Sequence, residues 1–176
     1  MRAKKIKYIA YHCSAGFGNI DSMKKYWRSL GWKTDGYHIV VDLEGKINFI
    51  VPFDKDSNGV AGYNSEIINI CYIGGVEASK DKKGNTIYKG KDTRTEAQKI
   101  ALDNALVMVT DWLRNNGNDC KEIIIVGHRD FSPDQNKNGI IDSYERIKEC
   151  PSFEVKTDYA FLQKALNGKT FKLPKK

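Results

Sequence analysis

Two histidines and a cysteine stand far apart in the chain, each where a strand or an active-site loop should end. They are His12 in Tyr-His-Cys-Ser, His128 in Gly-His-Arg-Asp and Cys150 in Lys-Glu-Cys-Pro. Imidazole nitrogen and thiolate sulfur are donors that Zn²⁺ favours, and three protein ligands with one position left for water is the catalytic rather than the structural arrangement. Such a site lowers the pKa of a bound water from about 16 to about 7, which supplies a nucleophile at neutral pH and is the chemistry of a hydrolase. These residues alone leave a second reading open. A histidine is commonly a hydrogen-bonded structural group, and the sequence holds no short metal motif such as HExxH.

Hydrophobic periodicity indicates the elements that must position these groups. Residues 6–11 read as a strand that delivers His12 at its end, and 122–126 as a buried strand that delivers His128. A near-continuous apolar run over 67–73, closed by Gly74-Gly75, suits the centre of a sheet. Residues 37–43 and 46–51 are strands joined through Glu44-Gly45, a hairpin signal. Asp21-Ser22 offers a cap to a helix whose Met23, Tyr26, Trp27 and Leu30 fall on one face, with Gly31 as its stop. The longest helix opens on a capping box, Thr95 with Gln98, and closes at Asn115-Asn116-Gly117. Its core stripe is Leu102, Leu106, Val109 and Leu113, widened by Ala101, Ala105, Met108 and Trp112. Polar residues 80–94 form a surface loop with a short hairpin near Thr86-Ile87-Tyr88, and a last helix runs over about 158–166. Strands alternating with helices predict an α/β fold, a single mixed central β-sheet covered by helices.

At 176 residues the chain fits one domain, with a core over about 5–166 and a basic tail over 167–176. Four cysteines without CxxC spacing do not make a disulfide framework. Cys71 reads as a buried small hydrophobe, and strand alternation turns Cys13 away from His12. The net charge of +7 comes from scattered residues, mostly lysine, so an anionic surface accounts for it as well as nucleic acid does. No nucleic-acid partner is expected. The apolar runs are too short to cross a bilayer. The basic N-terminus is not followed by an apolar stretch of signal-peptide length, which predicts a protein that stays in the cytoplasm as synthesised and acts elsewhere only after release.

The flanking residues carry a resemblance. In order along the chain come Tyr11-His12-Cys13-Ser14-Ala15, Gly31-Trp32 with Gly36-Tyr37-His38, Gly62-Tyr63-Asn64, Ile73-Gly74-Gly75, Gly127-His128-Arg129-Asp130 and Lys148-Glu149-Cys150-Pro151-Ser152-Phe153. Together they resemble the zinc-dependent N-acetylmuramoyl-L-alanine amidases of phage endolysins and the related peptidoglycan recognition proteins, over roughly residues 5–165. The resemblance implies the peptidoglycan-recognition-protein-like amidase fold, zinc held by His12, His128 and Cys150, and catalytic assistance from Tyr37 and Lys148. It implies an antimicrobial, cell-wall-degrading enzyme, phage- or prophage-encoded, acting on bacterial peptidoglycan as a monomer. An amide is a poor electrophile, so positive charge from Lys148 beside the developing oxyanion suits the reaction, and Tyr37 can hydrogen-bond the attacking water or the oxyanion. His38 adjoins Tyr37 on the opposite strand face and reads as a supporting residue. One departure stands out: relatives often carry another histidine shortly before Gly-x-Asn, where this chain reads Asn58-Gly59-Val60-Ala61-Gly62-Tyr63-Asn64.

A second ion is suggested by spacing alone. Residues 134–145 fit the twelve-residue calcium-loop pattern, with Asp134, Asn136, Asn138, the Ile140 carbonyl, Asp142 and Glu145 as donors and Gly139 at the sharp turn. An ordinary polar loop is the other reading. For the chain as a whole the alternative to a zinc amidase is a non-catalytic peptidoglycan-binding module, which would be expected to lack the cysteine. A thiol hydrolase built on Cys13 is a third reading, distinguished by indifference to chelators.

Overall fold

Every residue of the first strand, β1 (Tyr8–Cys13), is buried, yet its two faces do different work. Successive side chains point to opposite sides of a sheet. Ile9, Tyr11 and Cys13 enter the main hydrophobic core, while Tyr8 and Ala10 join a second cluster on the other face. The computed structural model describes residues 1–174, so the end of the tail expected over 167–176 lies outside the described residues.

Helix α1 (Ile20–Ser29) follows β1 and is capped by Asn19, two residues earlier than Asp21-Ser22 suggested. The Asn19 Oδ1 accepts the Ser22 N–H at 2.9 Å. Of its expected apolar face only Trp27 is buried, whereas Tyr26 and Leu30 are exposed. Strands β2 (Ile39–Val41) and β3 (Ile47–Phe49) form the expected antiparallel hairpin. Strand β4 (Ile67–Tyr72) is central, and β5 (Val76–Lys80) with β6 (Thr86–Gly90) makes a separate two-stranded hairpin. Helix α2 (Glu96–Asn115) opens on the expected capping box, a feature that contributes about 1 kcal/mol. Its Gln98 amide also donates to the Ile73 carbonyl at 2.9 Å, tying the helix start to the end of β4. The stripe of Leu102, Leu106, Val109 and Leu113 is buried, but Met108 is exposed because it lies a hundred-degree step off that line.

Strand β7 (Ile124–Gly127) completes the five-stranded sheet in the order β3-β2-β4-β1-β7. β2, β4, β1 and β7 are parallel and β3 is antiparallel at the edge, so the sheet is mixed, as expected. The single last helix expected over 158–166 is two, α3 (Val155–Asp158) and α4 (Ala160–Asn167). The break falls at Tyr159, whose buried ring stacks on Tyr11 at 4.4 Å between centroids. Helices α2 and α3 pack on one face of the sheet; His12 points from the other, and Cys150 packs against the α2-side cluster beside Cys13, at the end of β1.

A candidate metal centre at the end of the first strand

β1 begins two residues later than its pattern suggested and ends two later. Its parallel pairing with β4 continues through His12↔Cys71 and Cys13↔Tyr72, so His12 sits inside the strand rather than beyond it. β7 stops at Gly127, whose N–H donates to Asp130 Oδ2 at 2.7 Å, and His128 follows in a short 3-10 turn. The next residue fixes the third group: the Arg129 N–H donates to the Cys150 carbonyl at 2.8 Å, while its buried guanidinium pairs with Glu154 at 2.7 Å. The Gly-His-Arg-Asp run is therefore a clamp that sets His128 against Cys150.

The three proposed ligands converge. Their donor atoms all lie within 4.8 Å of one another, and among the described residues they are the only such group of three histidine, cysteine or acidic side chains. His12 Nδ1 is 3.1 Å from His128 Nδ1 and 3.7 Å from Cys150 Sγ. Zinc bonds of about 2.0–2.1 Å to nitrogen and about 2.3 Å to sulfur at tetrahedral angles separate two nitrogens by about 3.3 Å and nitrogen from sulfur by about 3.6 Å. The donor set suits zinc in type, and the two pairs that His12 makes are at tetrahedral spacing, while all three donors lie within 4.8 Å of one another. Burial, then the neighbouring His128, hold His12 well below the ordinary histidine range. Burial, then the Lys148 charge, lower His128 to about 4. Both rings are thus neutral at neutral pH, the form that ligates metal. Burial pushes the Cys150 thiol well up, so a cation that takes its sulfur must displace a firmly held proton.

The Tyr37 ring lies 4.8 Å from that of His12. Its hydroxyl is within hydrogen-bonding reach of the Cys71 thiol, and burial raises it well above the ordinary tyrosine value, which keeps it protonated. Lys148 is exposed and shares with His128 the wall of a groove of about 1160 Å³. Aromatic residues Trp32, Tyr63, Phe131 and Phe171 line the same groove. Phe171 comes from the stretch after α4 and packs with Tyr63 and Phe131, a contact that the sequence did not suggest.

Asp134, Asn136, Asn138, Ile140, Asp142 and Glu145 form a self-contained loop. The carboxylate of Asp134 accepts the N–H groups of Asn138 and Gly139, and Asp142 accepts the amides of Asn136 and Asn138. Glu145, the expected bidentate donor, is buried and accepts the N–H groups of Gln135, Asn136 and Asp142, closing the loop on itself. Cys71 is fully buried. Cys13 faces the core, away from His12, as alternation required, yet its N–H donates to Cys150 Sγ at 3.2 Å and its thiol also meets that sulfur. Sequence reasoning passed over Asn69 and Ser57, both fully buried; a lone amide within the apolar run of β4 was the signal.

With this geometry in hand, comparison with known proteins decides the family. A family model described as N-acetylmuramoyl-L-alanine amidase matches residues 2–151. The chain belongs to that family. Among curated relatives, this amidase-family chain is 25% identical to an endolysin of Klebsiella phage KP32 over 159 residues, covering 88% of this chain and 86% of that one. It is 34% identical over 96 residues to an uncharacterised protein of Haemophilus influenzae, covering 54% of this chain and 70% of the relative. Among solved structures, N-acetylmuramoyl-L-alanine amidase LysC from Clostridium intestinale URNW superposes with a TM-score of 0.59 at 17% identity, covering 94% of this chain and 87% of that one. Peptidoglycan recognition protein-LE in complex with tracheal cytotoxin superposes with a TM-score of 0.61 at 14% identity, covering 90% and 82%. At such identities the two structures establish the shared fold. The amidase-family match ends at Pro151, so α3, α4 and the groove-lining Phe171 lie beyond it. No helix among the described residues is long and apolar enough to cross a membrane.

Proposed function

We propose that this chain hydrolyses the amide between N-acetylmuramic acid and L-alanine in bacterial peptidoglycan, with zinc held by His12, His128 and Cys150. The observation that carries this reading is the convergence of two neutral imidazoles and one thiol, all within 4.8 Å of one another beside a groove, in a member of the amidase family. When bound there, zinc supplies an activated water and polarises the scissile carbonyl. The chain's own residues do the remainder. The groove, with its aromatic lining and its wall of His128 and Lys148, holds the muropeptide across the centre. The Lys148 ammonium stands beside the carbonyl oxygen as that atom gains charge, and the Tyr37 hydroxyl donates a hydrogen bond at the same locus. Cleavage leaves a carboxylate on the lactyl ether of the sugar and a free amine on L-alanine.

Support for a wall-lytic enzyme of phage origin, released at lysis, comes from the endolysin relatives. The fold neighbour that carries tracheal cytotoxin, a monomeric diaminopimelic-acid-type peptidoglycan, supports a muropeptide as the groove's occupant. A single domain over residues 1–176, acting as a monomer without nucleic acid, belongs to the same proposal. The test is digestion of purified sacculi by protein of measured zinc content. Stem peptides bearing a new L-alanine amine are expected, and a chelator should abolish their release until zinc is restored. Binding to sacculi without any released peptide would favour the non-catalytic module instead.

Calcium in the loop over 134–145 is the second part of the proposal, supported by the complete twelve-residue pattern. Millimolar Ca²⁺ should then raise the melting temperature of zinc-loaded protein by several degrees. A melting curve and hydrolysis rate unmoved by calcium would make it an ordinary loop.

A further inference from the structure

β4 reads Ile-Ile-Asn-Ile-Cys-Tyr, and Asn69 is as fully buried as its apolar neighbours. Buried amides are kept only where their hydrogen bonds are made. Here the partners form a chain whose direction can be worked out from backbone groups. His38 Nδ1 lies 3.0 Å from the Asn69 backbone N–H, which can only donate. His38 Nε2 lies 3.0 Å from the Lys55 carbonyl, which can only accept. His38 therefore carries its proton on Nε2, and its Nδ1 is an acceptor. The Ser57 hydroxyl, 3.0 Å from that same Nδ1, must donate to it, which leaves the Ser57 oxygen free to accept. Asn69 Nδ2 donates to Ser57 Oγ at 2.8 Å, and this fixes which end of the amide is which. Asn69 Oδ1 then faces His12 Nε2 at 2.8 Å and must accept its proton.

The consequence lies at the other nitrogen. With Nε2 protonated, His12 Nδ1 presents a lone pair toward His128 Nδ1 and Cys150 Sγ. His12, His38, Ser57 and Asn69 are all fully buried, so every link is out of reach of bulk solvent. Gly59 leaves the room that this requires: a Cβ there would sit 2.3 Å from Asn69 Cγ.

We propose that Asn69 is a positioning residue that locks His12 in its Nε2–H tautomer, and that Ser57 and His38 relay to it a polarity set by two backbone groups. The inference rests on reading His12 as a zinc ligand through Nδ1. Partners of this kind, one step out from a metal, typically alter metal affinity by about 10–100-fold when removed.

The test uses the full chain with ¹⁵N-labelled histidine. In zinc-free wild type, His12 should show a protonated Nε2 and an unprotonated Nδ1. Asn69→Leu, similar in size but without an acceptor, should lose that preference and bind zinc about 10–100-fold more weakly in competition with a chelator. Asn69→Asp keeps an acceptor toward His12 and lets the Ser57 hydroxyl turn to donate, so it should recover both tautomer and affinity. Because Asn69 is wholly buried, Ser57→Ala serves as a milder variant; freeing the amide to flip should broaden or split the His12 signals while the melting curve stays cooperative. An unchanged His12 spectrum with undiminished zinc affinity in Asn69→Leu would overturn the relay, as would an Nδ1–H tautomer in wild type. Failure of wild type to bind zinc, with its tautomer fixed as described, would instead remove the ligand reading of His12 and leave the relay standing.

Discussion

Serine in place of Cys150 is expected to leave a folded protein with almost no bound zinc and with muropeptide release reduced by about 10³-fold or more. The size follows from rank: loss of a partner one step removed from a metal costs about 10–100-fold in affinity, and loss of a direct ligand costs more. A neutral hydroxyl offers neither the softness nor the charge of thiolate, and two imidazoles without it are a weak site. The fold should survive because Cys150 is only half-buried and its carbonyl is held by the Arg129 N–H, which the substitution leaves alone. Cys13→Ser is the paired control. Cys13 meets Cys150 through its backbone N–H and its thiol, and serine keeps both contacts with a smaller hydroxyl, so that variant should keep its zinc and most of its rate. Metal analysis and a sacculus-release assay on the two variants read both outcomes. Inactivity of Cys13→Ser with full zinc, beside an active Cys150→Ser, would replace the metal enzyme by a thiol hydrolase.

Lys148→Ala should lower turnover by about 10²–10³-fold, the usual cost of removing one group that stabilises a developing oxyanion. Its effect on metal should have the opposite sign. The Lys148 charge helps to hold down both histidines, and a neighbouring cation repels any metal ion as it repels a proton. Zinc affinity should therefore hold or rise in the variant, which separates a catalytic lysine from a structural one. Lys148→Arg should recover part of the rate by restoring the charge in a bulkier form. Because the charge is needed in the transition state, the Michaelis constant should move little. A raised Michaelis constant with turnover intact would assign Lys148 to holding the glycan or stem peptide instead.

Much of this arrangement was legible in the sequence because it depends on local pattern. The apolar run of β4, the capping box of α2 and the hairpin of β2 with β3 each follow from rules that act over a few residues. His12 and His128 were placed near strand ends for the same reason. What stayed hidden depends on contacts between distant segments. The break between α3 and α4 falls at Tyr159, whose ring stacks on Tyr11, far earlier in the chain, and helix periodicity carries no trace of that contact. Met108 looked like core on a generous reading of the helix face, but the sheet covers a narrower stripe. The support behind His12 was half visible. His38 was read as a helper on grounds of alternation, whereas its links to Ser57 and Asn69 join three segments that no spacing rule connects. The resemblance to known amidases supplied Tyr37 and Lys148; the geometry that makes their roles testable came only with the fold.

β1 carries the imidazole on one side and Tyr11 on the other, and that division has little tolerance for error. A slide by a single residue would drive His12 beneath α2 and swing a tyrosine ring out toward the groove, destroying packing and chemistry in one movement. Parallel partners on both flanks, β4 and β7, guard against such a slide. Ladder contacts that never touch a substrate thereby act as the alignment gauge of the reaction centre, and damage to them should announce itself as lost function and lost stability together.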